Sequence, residues 1–170
     1  MTEKTSRDPD YFGDIDKYGK FGEDLFLSMY KDKLEIEDVR KDKAFQKMDV
    51  DFICKRKNSD DIRYFRVDVK VDTRALDTGN LAYEVVSHGS CGWSVVTGAE
   101  YLFFVLAKDN PLKAVRCLWI DRYKWDAYCS NRNTAKKMNI IQSESIVDLL
   151  CKIDDLKNAG VITNVLDLDK

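Results

Sequence analysis

Residues 62–73, with the sequence IRYFRVDVKVDT, alternate apolar and polar side chains with the period of two that is typical of a β-strand. The two predicted faces differ in polarity: one carries Arg63, Phe65, Val67, Val69 and Val71, and the other carries Tyr64, Arg66, Asp68, Lys70 and Asp72. Asp68 and Lys70 are therefore neighbours on the polar face, roughly 6.5–7 Å apart along the strand. Acidic side chains on a strand are costly unless something binds them, so these residues point to function.

The preceding segment, residues 43–54, also fits a strand. Its two predicted faces carry Asp49 and Asp51 on one side, and Val50 and Phe52 on the other. Residues 55–61, KRKNSDD, have the composition of a turn. We therefore expect segments 43–54 and 62–73 to form a hairpin, in which Asp51 can meet Asp68 if the register permits.

The rest of the chain predicts helices and strands in mixed order. Helices are predicted at residues 18–30, 121–130 and 144–159, strands at 34–39, 81–87, 101–107 and 114–120, and a loop at 89–98. Residues 1–16 contain Pro9 and are expected to form a flexible arm. Without repeats or a linker, residues 1–170 are expected to form a single domain. The element order predicts the fold class α/β (α+β), with a mixed central β-sheet flanked by helices.

The composition of the chain argues against several kinds of protein. The formal net charge of −2 does not indicate a dedicated DNA-binding module, because these are usually basic, although a nuclease can offset this with bound cations. No apolar run approaches the roughly 18–20 residues of a membrane helix, and no secretory signal is recognised at the N-terminus. The five cysteines form no CxxC pair, which argues against a disulfide framework or a zinc knuckle. We expect a cytoplasmic protein that does not contact membranes.

The acids on the predicted hairpin favour a magnesium site. Asp51 and Asp68 offer hard oxygen ligands without a histidine or cysteine cluster, which suits Mg²⁺, with Mn²⁺ as a substitute, and not zinc. Such an ion polarises a phosphate and lowers the pKa of bound water. Lys70 could orient that water or stabilise charge on the phosphorus, and Glu23 could add a ligand.

An Asp-x-Lys triplet alone is weak evidence. Asp155-Leu156-Lys157 has the same form and falls on a predicted helix surface. Asp68 and Lys70 could equally form the solvated face of an antiparallel strand.

The whole ordered series is more specific. Gly22-Glu23 on a helix, then Asp51 on a strand, then an Asp-x-Lys triplet on the next strand, resembles the PD-(D/E)XK nuclease superfamily. This superfamily includes restriction-endonuclease-like and Holliday-junction-resolvase-like enzymes. The seventeen-residue step from Asp51 to Asp68 and the element order also match. Small phage and bacterial members have motifs similar to three later segments: TGNLAYE at residues 78–84, Gly92-Trp93, and Ala99-Glu100-Tyr101.

The resemblance implies roles for four residues. Asp51 and Asp68 would hold the metal, Glu23 would assist, and Lys70 would serve the attacking water. Relatives often carry a glutamine shortly before a glycine-hydrophobic-aspartate step. Residues 46–51 fit that pattern if Asp49 replaces the glycine, which makes Asp51 the ligand.

Further candidates flank these four residues. Substrate contacts are expected from Arg66, Arg74, Gln46 and Trp93, and two further acids, Asp49 and Glu84, are additional candidates for the site. Trp93 would either anchor its loop or stack on a base. Glu84 would either reach the site from a neighbouring strand or pair with a lysine.

Two functions remain open from the sequence. The first is a Mg²⁺-dependent DNA endonuclease or resolvase that cleaves by metal-activated water. Its expected partner is nucleic acid, and a homodimer is expected from the apolar face of helix 144–159. The second is a nuclease-fold binding protein without catalysis, such as a phage-encoded inhibitor of a host defence complex, with a protein partner.

Overall fold

The segment with alternating side chains forms the third strand of a six-stranded sheet. In this computed structural model, the backbone is described for residues 9–169 and the side chains for residues 16–169. The helices are α1 (Pro9–Tyr30), α2 (Lys43–Gln46), α3 (Ala75–Thr78), α4 (Trp93–Val96), α5 (Arg122–Ser130), α6 (Arg132–Ala135) and α7 (Ile153–Asn158). The strands are β1 (Leu34–Asp38), β2 (Phe52–Arg56), β3 (Phe65–Asp72), β4 (Asn80–Ser87), β5 (Ser90–Cys91), β6 (Tyr101–Lys108), β7 (Lys113–Asp121), β8 (Asn139–Gln142), β9 (Val147–Lys152) and β10 (Ile162–Asp167).

The strands form two sheets within the described residues. The main sheet has the order β1–β2–β3–β6–β7–β10, and the second sheet has the order β5–β4–β9–β8. The central strands β3 and β6 pair in parallel, and the other neighbours pair antiparallel. The predicted α+β class with a mixed sheet and flanking helices is confirmed. The hairpin of β2 and β3 is also formed, with Phe52 opposite Val67.

Strand β6 separates two apolar cores. Phe103 and Val105 pack on the face of the main sheet that α1 covers, whereas Leu102, Phe104 and Leu106 pack towards Trp125 and the second sheet. These five side chains are at most 4% exposed. This explains the continuous apolar run at 101–107 and confirms the prediction of a strand that is covered on both faces.

Helix α1 lies close against β3 at Gly22. A Cβ atom at Gly22 would lie 2.6 Å from Val71 Cγ2 and 3.1 Å from Val69 Cγ1. One turn later, Phe26 is completely buried and stacks on Phe52 at 5.0 Å. The absence of a side chain at Gly22 therefore lets the helix lie directly on the strand and fixes the position of its neighbour, Glu23.

The predicted arm at 1–16 is wrong in its second half. Helix α1 begins at Pro9, not at residue 18, so the backbone of residues 9–16 is helical. Proline is well suited to the first turn of a helix because its fixed φ is helical and its missing N–H needs no partner there. The rest of the predicted arm, residues 1–8, lies outside the described residues.

The predicted strand at 43–54 is also wrong in its first half. The Asp42 side chain accepts a hydrogen bond from the Ala44 backbone N–H and caps the short helix α2. A tight turn follows, and β2 begins only at Phe52. This turn sends Val50 and Phe52 into different cores, so the prediction that they share a face is wrong.

The predicted final helix at 144–159 is wrong in its first half. Residues 147–152 form β9, which pairs with β4, and only the short helix α7 follows. Gly160, with φ of 68°, does come directly after that helix's cap, as a left-handed glycine commonly does. The apolar helical face from which a homodimer was expected is therefore not formed. Strands β8 and β10 were not predicted.

Helix α1 is 22 residues long, but no helix in the described part of the chain is both long and apolar enough to span a membrane.

The close approach at Gly22 can be tested by substitution with alanine. We expect Gly22→Ala to lower the free energy of unfolding by about 1–3 kcal/mol, the usual cost of forcing a methyl group into a packed core. The measurement is urea unfolding followed by circular dichroism.

Gly19→Ala is the matched control in the same helix. A Cβ atom at Gly19 meets nothing within 4 Å, so alanine should raise stability by roughly 0.5–1 kcal/mol through its better helix propensity. Equal stability of the two variants would contradict the packing argument.

Candidate active site

Asp68, Lys70 and Asp49 converge on the face of β3 opposite α1. The Lys70 Nζ atom lies 3.0 Å from Asp68 Oδ2 and 3.7 Å from Asp49 Oδ2. Asp68 is only 2% exposed. The structure therefore brings the two residues of the Asp-x-Lys triplet into direct contact, in a largely buried position.

Asp51 reaches the same place because it lies where β2 leaves β3. Its backbone N–H donates to the Val67 carbonyl at 3.0 Å, and its Oδ2 atom accepts from the Val69 N–H at 2.8 Å. The carboxylate thus occupies the position along β3 where a neighbouring strand would otherwise supply an acceptor. The Asp51 and Asp68 carboxyl groups are near enough for each to change the pKa of the other.

Burial dominates the electrostatics of the two acids. It raises the pKa of Asp68 to about 8; Lys70 opposes this shift, while Asp51 and Asp49 add to it. Burial also raises the pKa of Asp51, and the hydrogen bond from Val69 N–H and the charge of Lys70 offset part of the effect. Both carboxylates are therefore held in a position that disfavours their charge.

The Asp68 carboxylate is also incompletely satisfied. Its Oδ2 atom is buried and, although it lies 3.0 Å from Lys70 Nζ, it accepts no hydrogen bond of good geometry. A bound divalent cation would add to the stabilisation that the Lys70 ammonium gives this buried carboxylate.

Lys70 remains an ammonium in this arrangement. Burial lowers its pKa, but Asp68 and Asp49 raise it by more, so its pKa lies above the ordinary value. The Nζ atom also lies 5.9 Å from the centre of the Trp93 ring, within the range of a cation–π contact. Lys70 can therefore donate hydrogen bonds and positive charge, but it is not poised to accept a proton.

Glu23 lies at the border of the site on helix α1. It is close enough to raise the pKa of Asp51, but its Oε2 atom is paired with Arg40 Nη1. Arg40 also pairs with Asp38 and lies over the Phe52 ring at 5.1 Å. Sequence analysis missed Arg40, since it stands in the charged stretch after β1, where no pattern distinguishes it from its neighbours.

The backbone at Asp49 is left-handed, with φ of 43°. Aspartate tolerates this conformation better than most residues, and glycine adopts it most easily. The geometry agrees with the sequence interpretation in which Asp49 stands in place of a glycine. It also turns the carboxylate of Asp49 towards Lys70.

Trp93 and Glu84 hold the loop beside Lys70. The Trp93 ring packs against Tyr83 and Trp125, each at 5.5 Å, so Trp93 anchors its loop in the core. Glu84 Oε1 accepts a hydrogen bond from the Trp93 backbone N–H at 3.2 Å. Glu84 therefore supports the loop backbone, instead of joining Asp68 or pairing with a lysine.

The three remaining sequence candidates differ in their surroundings. Arg66 Nε lies 3.5 Å from Glu100 Oε2, and the Gln46 amide donates to the Arg40 carbonyl at 2.7 Å. Arg74 is exposed at the start of α3. Of the three, Arg74 is the most open to a ligand.

The site is neither a complete metal cage nor a deep cavity. Within residues 16–169, no group of three or more His, Cys, Asp or Glu side chains is arranged to hold a metal ion. A cavity of about 460 Å³ lies on the α1 side of the main sheet, between Tyr30, Phe65, Tyr101 and Trp119. It contains none of the clustered acids.

The raised pKa of Asp68 predicts pH-dependent stability. The folded chain keeps a proton that the unfolded chain loses near pH 4, so stability falls as pH rises from about 4 to 8. Asp68→Asn has no ionisable group at this position, so its stability should not fall in this way. We expect its free energy of unfolding, relative to that of the natural chain, to increase by about 1 kcal/mol per pH unit between pH 5 and 8. The measurement is thermal unfolding without divalent ions.

Asp60→Asn is the control, because Asp60 is exposed at the tip of the β2–β3 hairpin. Its stability difference from the natural chain should stay constant with pH. A constant difference for Asp68→Asn as well would show that Asp68 is ionised normally.

No family model, no curated protein and no solved structure matches this chain.

Proposed function

We propose that the chain is a metal-dependent phosphodiesterase that cleaves nucleic acid, most simply a DNA endonuclease or resolvase. The observation that carries this proposal is the buried Asp68 carboxylate, which lies beside Asp51 and pairs with the ammonium of Lys70. A core built for stability alone would avoid a second, partly buried acid beside the buried Asp68, because the charge of Asp51 makes Asp68 harder to ionise.

The donor set suits Mg²⁺ or Mn²⁺. Asp51 and Asp68 would hold the ion, and Mg²⁺ commonly uses only one or two carboxylates, completing its shell with water and substrate phosphate. This agrees with the absence of a three-residue cage among the described side chains. When bound, such an ion polarises the phosphate and lowers the pKa of water. Its charge would also stabilise the ionised form of Asp68.

Lys70 supports the chemistry as a hydrogen-bond donor. Because its pKa is raised, it carries a positive charge at neutral pH and can orient the attacking water or neutralise charge that develops on the phosphate. Its contacts with Asp68, Asp49 and the Trp93 ring restrict the position of the Nζ atom. Glu23, held by Arg40, would act on the site through Asp51.

Substrate contacts are proposed from the residues around this cluster. Arg74 is exposed and can contact a phosphate. The net charge of −2 implies that affinity for nucleic acid depends on the divalent ion more than on a basic surface.

Two substitutions separate metal binding from catalysis. Lys70→Ala should lose about 10²–10³-fold in Mg²⁺-dependent cleavage of a panel of duplex, single-stranded and four-way-junction DNA. The same variant should keep or improve Mn²⁺ binding in calorimetric titration, because a cation next to the acids is removed. Asp68→Asn should lose both cleavage and Mn²⁺ binding.

The matched control is Asp77→Asn, which neutralises an exposed acid on α3. It should cleave and bind Mn²⁺ like the natural chain. Full cleavage by Lys70→Ala would contradict the proposed role of the lysine. A natural chain that binds no Mn²⁺ and cleaves no DNA would favour the alternative, a nuclease-fold binding protein such as a phage-encoded inhibitor of a host defence complex.

A further inference from the structure

Three sulfur atoms meet at the junction of α5 and the second sheet. Cys151 Sγ, on β9, lies 3.9 Å from Cys129 Sγ on α5 and 3.4 Å from the Sδ atom of Met138. Met138 directly precedes strand β8. Cys151 is thus the central sulfur, and its two sulfur neighbours come from different parts of the chain. The cluster shares no residue with the acidic site.

A hydrogen-bond donor faces the central sulfur of the cluster. The Trp125 indole Nε1–H donates to Cys151 Sγ at 3.4 Å, which supports negative charge on the sulfur. A thiolate is the form of cysteine that binds metals.

The three residues of the cluster differ in exposure. Cys151 is only 1% exposed, whereas Cys129 and Met138 are partly exposed. An ion can therefore enter past Cys129 and Met138 and be enclosed by Cys151.

The distances fit metal coordination. Metal–sulfur bonds of about 2.3 Å place two sulfurs roughly 3.8 Å apart around a tetrahedral ion and about 4 Å apart around a trigonal one. The Cys129–Cys151 separation of 3.9 Å lies within this interval. Met138 is slightly closer, but its unbranched side chain adjusts easily.

We propose that Cys129, Cys151 and Met138 form a binding site for a single soft monovalent metal ion, Cu(I). Thiolate and thioether sulfurs select Cu(I), whereas zinc sites are completed by imidazole, carboxylate or further thiolates. No third His, Cys, Asp or Glu joins the two cysteines within the described side chains. Binding releases one proton from each thiol that is still protonated.

The test is a competition for Cu(I) under anaerobic, reducing conditions. The full chain is titrated into the coloured Cu(I) complex of bicinchoninate, and the loss of colour measures Cu(I) transfer. We expect transfer of one Cu(I) per chain. Zn²⁺ in the corresponding assay should stay with its chelator. No Cu(I) transfer to the natural chain would overturn the proposal.

Substitutions then show which sulfur atoms bind the Cu(I) ion. Cys129→Ser should lose transfer, and Met138→Leu should reduce it at the same chelator concentration. Both positions are partly exposed, so these variants are expected to fold, and thermal unfolding of each metal-free protein checks this. Cys91→Ser is the matched control, because Cys91 is exposed on β5 and outside the cluster. Equal transfer by Met138→Leu, or its loss in Cys91→Ser, would refute the three-sulfur site.

Discussion

The geometry of the acidic site depends on the hydrogen bond between the Asp51 carboxylate and the backbone N–H of Val69. Strand β2 accompanies β3 only as far as Val67, and beyond that point the edge of β3 needs another acceptor. Asp51 supplies it with a side chain, which brings a carboxylate next to the buried Asp68. Asp49 also reaches Lys70, although β2 begins only at Phe52.

The opposite face of β3 imposes a second constraint. Helix α1 can lie on Val69 and Val71 only because Gly22 has no side chain. This contact fixes where Glu23 and its partner Arg40 lie relative to the acidic cluster. Strand β3 is therefore fixed by apolar packing on one face while it carries a charged cluster on the other. The rigid apolar side holds the charged side chains near one another despite their unfavourable burial.

Sequence analysis predicted correctly those parts of the fold in which a regular pattern of apolar side chains extends over many residues. The alternation around Asp68 and Lys70 and the apolar run of β6 both indicated the right strands. Prediction was wrong where local and long-range interactions compete. Asp42 caps a short helix that no period reveals, and residues 147–152 become a strand because β4 offers a pairing edge that only the folded chain contains. Arg40 is recognisable only through the contacts it makes in three dimensions.

The parallel pairing of β3 with β6 has a consequence for synthesis on the ribosome. Between Asp72 and Tyr101 the chain has to return to the other end of the main sheet, and on this return it forms β4 and the loop that carries Trp93. Strand β4 finds its partner β9 only when residues 147–152 have emerged. We therefore expect the aromatic neighbour of Lys70 to be fixed late in translation, so that a nascent chain holding all the acids is still without a finished site.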